Sequence, residues 1–578
     1  MCGICLYIQV FKKKTPEIEA SQSKWLKEYY PRIQHRGPDE SSTEDIQLQD
    51  GMTCTLGFHR LSIVDPAGGH QPIHMEDKTL MCNGEIFNYM DLDKSSFAGD
   101  KIKHIGSDCF SILSYYMSSL EDIEDSCEED KPMAFISTIR QLDGDFALTM
   151  IDYPYLFVAR DPVGVRPLFY RIDSDGIQFA SEAKAIMGPS TQFPPGFIGI
   201  LNLEETPLDG SLNSDHMEFH KYTDIIPEYA LIPQYGNTIS DSEMEFIIRK
   251  VNMLLTTAVE KRFMSDRPIA YMLSGGLDSS VIAAIGAKFS DKPIATFSIG
   301  LPGSPDLIKA KQVAEFLKSD HTEVHFSVEE GIATLDNVIS AFETFDCTTI
   351  RAGTPMYILG KYITEKTPYK VIFSGEGADE LFGGYLYFHN APSPEEFQSE
   401  THTLLDNLHQ YDIIRADRST SIHGLELRVP FLDKDLVHAI SRAHPKFKFS
   451  KCVHEYKGDE KSKMEKYIVR RAFEDILPEE VAWRQKEAFS DGVGYSWVDG
   501  LKKHANENYS EDFKNASKEF PYVTPLTPEE FMMRRIYTKH FPDPESAKHI
   551  QKMWRVNWSE QIDPSATFLS VHSNPRTD

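Results

Sequence analysis

What most constrains this chain is a change of hydrophobic rhythm near residue 242. Up to about residue 200, short apolar runs with strand character dominate: Cys2–Val10, Thr55–Val64, Thr79–Cys82, Phe146–Asp152, Leu156–Asp161, Pro167–Ile172 and Ile177–Ala180. Turns as tight as Asp173-Ser174-Asp175-Gly176 separate the later runs, as antiparallel hairpins require. This half predicts a β-rich α+β layer structure. Beyond residue 242 the pattern becomes helical, with Ile247, Ile248, Val251, Leu254, Leu255, Ala258 and Val259 on one face. Short apolar strands then alternate with helices: Ile269–Leu273, Ile294–Ile299, Val324–Phe326 and Val371–Phe373. One intervening helix opens on the capping-box pattern Ser327-Val328-Glu329-Glu330. Such alternation implies a parallel sheet flanked by helices, an α/β domain.

At 578 residues the chain exceeds the ~250–300 at which a single core stops growing, so the two rhythms are read as two domains. They span 2–205 and 242–560. The stretch 206–241, rich in Pro, Gly, Asp and Ser without periodicity, reads as a linker or domain edge, and 561–578 as a C-terminal tail. Sixty basic against 88 acidic residues give a net charge of -28, which repels nucleic acid and anionic membranes. A small anionic ligand would need local basic groups, helix N-termini or Mg2+. No run of about 20 apolar residues exists, and Ile4–Val10 lacks the charged front of a signal peptide. Eight cysteines at irregular spacing point to free thiols in a reducing compartment, hence a cytoplasmic protein.

The Ile269–Leu273 strand runs into Ser274-Gly275-Gly276-Leu277-Asp278-Ser279-Ser280 and then a helix. Small residues let backbone N–H groups approach a phosphate, the helix N-terminus favours its charge, and Asp278 can hold Mg2+. No Gly-Lys-Ser/Thr follows, which excludes the Walker loop. The segment resembles the pyrophosphate loop of ATP pyrophosphatases, which release AMP and pyrophosphate. A second cluster, Ser374-Gly375-Glu376-Gly377-Ala378-Asp379-Glu380, follows the strand Val371–Phe373 and offers carboxylates as metal ligands or a general base.

At the other end, the small residue Cys2 allows removal of Met1. The α-amine so freed, with an ordinary pKa of about 7.7–8.0, could serve as base for the thiol of its own residue. Cys2 and Cys5 also form Cys-x-x-Cys. Their odd separation sends the two thiols to opposite strand faces, and no second pair supplies further zinc ligands, so a metal or redox role is set aside.

Taken together, Cys2-Gly3-Ile4, His35-Arg36-Gly37-Pro38-Asp39, His59-Arg60-Leu61-Ser62-Ile63-Val64-Asp65 and Asn83-Gly84-Glu85-Ile86-Phe87-Asn88 resemble class II glutamine amidotransferases. With both later loops, Arg351-Ala352-Gly353-Thr354-Pro355-Met356, Leu425–Asp433 and Trp483–Glu487, the whole chain is similar to the glutamine-hydrolysing asparagine synthetases. The resemblance implies an αββα N-terminal-nucleophile glutaminase followed by an α/β ATP-pyrophosphatase domain. It implies that the Cys2 thiolate attacks the glutamine amide, with Asn83 and Gly84 as oxyanion hole. Arg60 would grip the α-carboxylate and Asp108 the α-amine, while Glu85 and the Leu61, Ser62, Ile63 and Val64 backbone complete the pocket. In the second domain it places adenosine near Leu273 and Ile299. It places phosphates on Ser274, Gly275, Gly276, Asp278, Ser279 and Ser280 and on Ser374 and Gly375, with Mg2+ on Asp278 and Asp379. Glu376 matches the residue linked to forming an aspartyl-AMP intermediate, and Lys486 one that neutralises pyrophosphate. Arg351, in a Thr-Thr-Ile-Arg segment between two strand–helix units, is expected to bind an aspartate carboxylate.

The implied substrates are glutamine, aspartate and ATP, and a homodimer is compatible with the reading. Phe87 and Tyr89 stand where the family usually has Tyr and His, and Cys5 where it has an aromatic or aliphatic residue. None of these is a catalytic group. A β-lactam synthetase has similar parts but typically lacks the nucleophile, and a phosphoribosyl amidotransferase would lack the Ser274–Ser280 loop. A non-catalytic amino-acid sensor would show eroded catalytic positions.

Overall fold

The computed structural model describes residues 1–9, 16–48, 52–95, 107–123, 127–207, 211–227, 238–550 and 553–559. The expected tail 561–578, Val10 and Gly106 lie outside them. The first half contains β1 (Gly3–Gln9), β2 (Glu40–Gln47), β3 (Thr53–Arg60), β4 (Ile73–Met75), β5 (Lys78–Ile86), β6 (Gly144–Asp152), β7 (Tyr155–Arg160), β8 (Phe169–Asp173), β9 (Gly176–Ala180), β10 (Thr191–Gln192), β11 (Phe197–Asn202) and β12 (Glu218–Lys221). They form two antiparallel sheets, ordered β10-β8-β9-β1-β3-β2 and β12-β11-β7-β6-β5-β4. Between the sheets, Ile4, Leu6 and Ile8 of β1 and Leu56 and Phe58 of β3 pack on Met81, Ala147 and Val158 of the other sheet. The outer faces are covered too. Leu80, Leu148 and Phe157 meet Ile112, Leu113 and Phe135 of two helices, and Cys5 and Tyr7 meet Trp25, Tyr30 and Ile33. This αββα sandwich explains why β1 and β3 are buried along their whole length.

Some strands fall where the sequence shows no apolar run, β2, β10 and β12 among them. The Glu40–Gln47 segment is polar and largely exposed because β2 is an edge strand. Within 206–241, expected as a linker, β12 pairs with β11, Phe197 opposite Lys221, so the second sheet extends into that stretch.

The later half adds β13 (Ile269–Met272), β14 (Ala295–Gly300), β15 (Asp320–His325), β16 (Val371–Phe373) and β17 (Glu426–Arg428). They form one parallel sheet ordered β15-β14-β13-β16-β17. The chain leaves β13 toward β14 and returns on its other side as β16, so strand order reverses between β13 and β16. A crevice opens beyond the carboxyl ends at such a point, and there both Gly-rich loops emerge. The helix Asp241–Lys261 buries Ile247, Val251, Leu255, Ala258 and Val259, and Ser240 with Glu243 closes a reciprocal cap at its start.

The domains meet across buried charge. Arg36 donates to both Asp417 oxygens at 2.8 and 3.0 Å and to Glu182 at 2.8 Å, while Arg418 joins Glu182 to Glu343. No helix among the described residues is long and apolar enough to cross a membrane.

Candidate functional site

Cys2 immediately precedes β1 and follows Met1. Its backbone N–H donates to Asn83 Oδ1 at 2.9 Å, which docks the Cys2 end of β1 on β5. The other half of that amide, Asn83 Nδ2, is buried without a hydrogen-bond partner. An orphaned buried donor costs about 1–3 kcal/mol. Gly84 follows on β5 opposite Phe146, where a Cβ would fall 2.2 Å from the Asp145 carbonyl oxygen.

The thiol is held by the segment after β3. Leu61 N–H points at Cys2 Sγ (3.4 Å), and Sγ lies 3.7 Å from Leu61 O. Burial pushes the thiol up from its ordinary value, opposed by the nearby N-terminus and the Leu61 contact. Arg36 Nε donates to Cys2 O at 2.9 Å, which ties the nucleophile to the interdomain charge network.

Around this point Arg60, Glu85 and Asp108 are all buried. Arg60 donates to Asp65 O at 2.7 Å, and Asp108 accepts the Ile86 N–H at 2.7 Å. Burial pushes Asp108 up to about 6, opposed by that N–H. Burial, then Glu426 and Asp108, hold Glu85 well above the usual carboxylate range. Ser62 is anchored from the second domain, since Arg267 bonds both its carbonyl (2.8 Å) and its hydroxyl (2.7 Å). Buried charge thus surrounds the start of β1: Arg60, Glu85 and Asp108 among the expected residues, with Arg36 on the Cys2 carbonyl and Arg428 3.6 Å from Glu85.

The second centre is a cleft of ≈ 200 Å³ lined by Leu273, Ser274, Gly276, Asp278, Ser279 and Ile299 from one side and Ser374, Gly375, Glu376 and Asp379 from the other. The two loops touch: a Cβ on Gly375 would lie 2.8 Å from the Ser279 nitrogen. Ser280 does not face the cleft, for its side chain is fully buried on the helix Leu277–Phe289. Gly275 is also set back from the lining; its backbone has φ +71° and abuts Lys309 and Ala310.

Lys486 donates to Asp379 Oδ2 at 2.5 Å, and its pKa is raised because the Asp379 and Asp278 charges outweigh burial. Burial acts to raise Asp379, but Lys466 and Lys486 overcome it and hold the carboxyl below its usual range. Burial raises Glu376, with Arg415 opposing from 2.6 Å. Arg351 borders the cleft, but its fork grips Glu529 at 2.8 and 2.5 Å.

Sequence reading gave no role to several cations here, among them Arg415, Arg484 and Lys466. Arg415 reaches Glu376, Arg484 bonds Asp306 (2.9 Å) and Gly275 O (3.2 Å), and Lys466 bonds Asp278 and Asp379. Lys466 sits in the charged run Lys461–Lys466, which by pattern is a solvated surface. A cavity of ≈ 490 Å³ elsewhere, lined by Pro195, Lys221, Asp406 and His409, holds none of the expected residues.

Comparison with known proteins covers both centres. Residues 1–196 match the glutamine amidotransferase domain family, and residues 250–396 and 390–572 the asparagine synthase family. The chain is 37% identical to "Asparagine synthetase [glutamine-hydrolyzing] 3" of Arabidopsis thaliana over 99% of this chain and 95% of that protein. It is equally 37% identical to "Asparagine synthetase [glutamine-hydrolyzing]" of Gallus gallus and of Homo sapiens, over 94% of this chain and 95% of each. With both family models matched along one chain and this likeness over nearly its whole length, the protein belongs to the glutamine-hydrolysing asparagine synthetase family.

Proposed function

We propose that the chain converts aspartate, glutamine and ATP into asparagine, glutamate, AMP and pyrophosphate, and that ammonia carries nitrogen from the first centre to the second. The observation that carries the reading is the unspent Asn83 Nδ2 on the same amide that holds the Cys2 backbone. Once Met1 is removed, the Cys2 amine takes the thiol proton and the thiolate attacks the amide carbon of glutamine. Asn83 Nδ2 and Gly84 N–H donate to the developing oxyanion, ammonia leaves, and water cleaves the thioester to glutamate. Arg60 and Asp108 are assigned to the α-carboxylate and α-ammonium of glutamine, a charge-assisted pair that selects an amino acid over a simple amide. Glu85 and the Leu61–Val64 backbone close that pocket.

In the cleft, a β-carboxylate oxygen of aspartate attacks the α-phosphorus of ATP and pyrophosphate leaves, giving β-aspartyl-AMP. Ammonia then attacks the β-carbonyl and AMP leaves. Lys486 neutralises the departing pyrophosphate, and Glu376, raised by burial, accepts a proton from the attacking ammonia. Leu273 and Ile299 are assigned to adenosine, and the loops from Ser274 and Ser374 to phosphate. Asp278 and Asp379 converge within reach of one ammonium, so the pair fits a divalent cation, and Mg2+ there would neutralise phosphate charge. Arg351, bonded to Glu529, and Arg415 border the space left for aspartate.

The same reading makes the protein cytoplasmic, with small molecules rather than nucleic acid or membrane as its partners, and admits a homodimer. Product analysis tests it. With glutamine, aspartate, ATP and Mg2+, asparagine should appear with equal amounts of AMP and pyrophosphate. ADP and phosphate in their place would sink the adenylation step.

A further inference from the structure

Lys466 is one of the cleft residues to which the family resemblance assigned nothing. It is 1% exposed, and its Nζ lies 2.7 and 2.6 Å from the two Asp278 oxygens and 2.7 Å from Asp379 Oδ1. The local backbone delivers it there. Lys466 has φ +56° and ψ 32°, a left-handed conformation that residues other than glycine seldom adopt. Its stem passes over Gly384, where a Cβ would fall 2.1 Å from Asp379 Oδ1 and 2.8 Å from Lys466 Cε. A strained backbone and a cleared lane are thus both spent on putting one ammonium between two carboxylates.

Those carboxylates come from the first turns of two different helices, one after β13 and one after β16, and would repel each other without a cation between them. Lys486 does not fill that role, being 2.5 Å from Asp379 but 4.0 Å from Asp278. Among the described residues no group of three or more His, Cys, Asp or Glu is placed to hold a metal ion. The protein therefore offers a divalent ion two carboxylates and a competing ammonium. Mg2+ in nucleotide sites commonly takes one or two carboxylates and completes its shell with water and phosphate oxygens.

We propose that Lys466 is a resident cation of the nucleotide site: it holds Asp278 and Asp379 together in the free protein and excludes a free divalent ion, which is admitted only with nucleotide phosphates. The proposal rests on Asp278 and Asp379 being the metal ligands. With nucleotide present, the displaced ammonium remains available to phosphate oxygens.

Mn2+ binding to the full chain, followed by paramagnetic resonance with and without ATP and in the absence of aspartate, tests this. The wild-type protein should bind Mn2+ with ATP and not without it, and Asp278→Asn should lose the ATP-dependent binding. Lys466→Met should bind Mn2+ without nucleotide about tenfold or more tightly than wild type, on the scale of one removed charge near a protein surface. Lys466→Met with Asp278→Asn should lose that gain, and Lys466→Arg should restore exclusion. Glutaminase activity in the first domain reports that each variant is folded. A folded Lys466→Met chain that binds Mn2+ no better than wild type overturns the proposal. So does wild-type protein that binds Mn2+ through Asp278 equally well without ATP, a result that needs no variant. Failure of wild type to bind Mn2+ through Asp278 even with ATP would instead overturn the assignment of the metal ligands.

Discussion

Replacing Asn83 by alanine separates catalysis from stability. Its amide does two opposite things in the resting protein: Oδ1 accepts the Cys2 N–H at 2.9 Å, while Nδ2 is buried without a partner. A made hydrogen bond contributes about 1 kcal/mol and a buried orphan costs about 1–3 kcal/mol. Alanine removes the orphan on Nδ2 but creates one at Cys2 N–H, so folding stability should shift by no more than about 1 kcal/mol. In the transition state the accounts differ, because Nδ2 then meets an oxyanion and its loss should lower glutaminase turnover by about 10²–10³-fold. Glutamate release at saturating glutamine gives the first number, and the urea midpoint the second. Synthesis from added ammonium should be unchanged. A turnover loss below about tenfold, or one matched by an equal loss of stability, would refute Asn83 as oxyanion donor.

The elevated Asp108 carboxyl gives a pH signature. Below about 6 it is neutral and cannot pair with the substrate ammonium, so kcat/KM for glutamine should fall as pH drops through about 6. Asp108→Asn should abolish that limb and raise KM, and a limb near pH 4 in the parent would contradict the assignment. Glu376→Ala and Lys486→Ala should each cut aspartate-dependent pyrophosphate release by at least about 10²-fold with glutaminase intact, measured by coupled pyrophosphate assay. Normal turnover in either removes its role. Asp417→Ala leaves the buried Arg36 without its two-pronged partner and should cost about 3 kcal/mol in urea unfolding. A loss under about 1 kcal/mol would show that water reaches the domain boundary.

Both folds were legible because their signals are local. The capping box at Ser327 and the strand Val371–Phe373 stand where pattern puts them. The edge strands β2 and β12 were not, since they have little apolar area to bury and so no alternation to show. Site residues carried by short motifs, such as Asn83 and Asp278, could be named in advance. Lys466, Arg415 and Arg267 could not, because their roles come from partners 188, 39 and 205 positions away in sequence. Arg351 illustrates the reverse: its motif suggested a substrate carboxylate, and in the fold it borders the cleft while its fork holds Glu529. Ser280 likewise belongs to the phosphate motif, but as the fourth residue of a helix it turns into the core.

The central claim is that two centres on one chain share only ammonia, and Cys2→Ala tests it most directly. The variant should release no glutamate from glutamine. Given ammonium at a pH high enough to supply free NH3, it should still turn aspartate and ATP into asparagine, AMP and pyrophosphate, and Cys5→Ala, altered on the opposite face of β1, should retain both reactions. Glutamine-dependent asparagine synthesis by Cys2→Ala, or its loss in Cys5→Ala alone, would contradict the account.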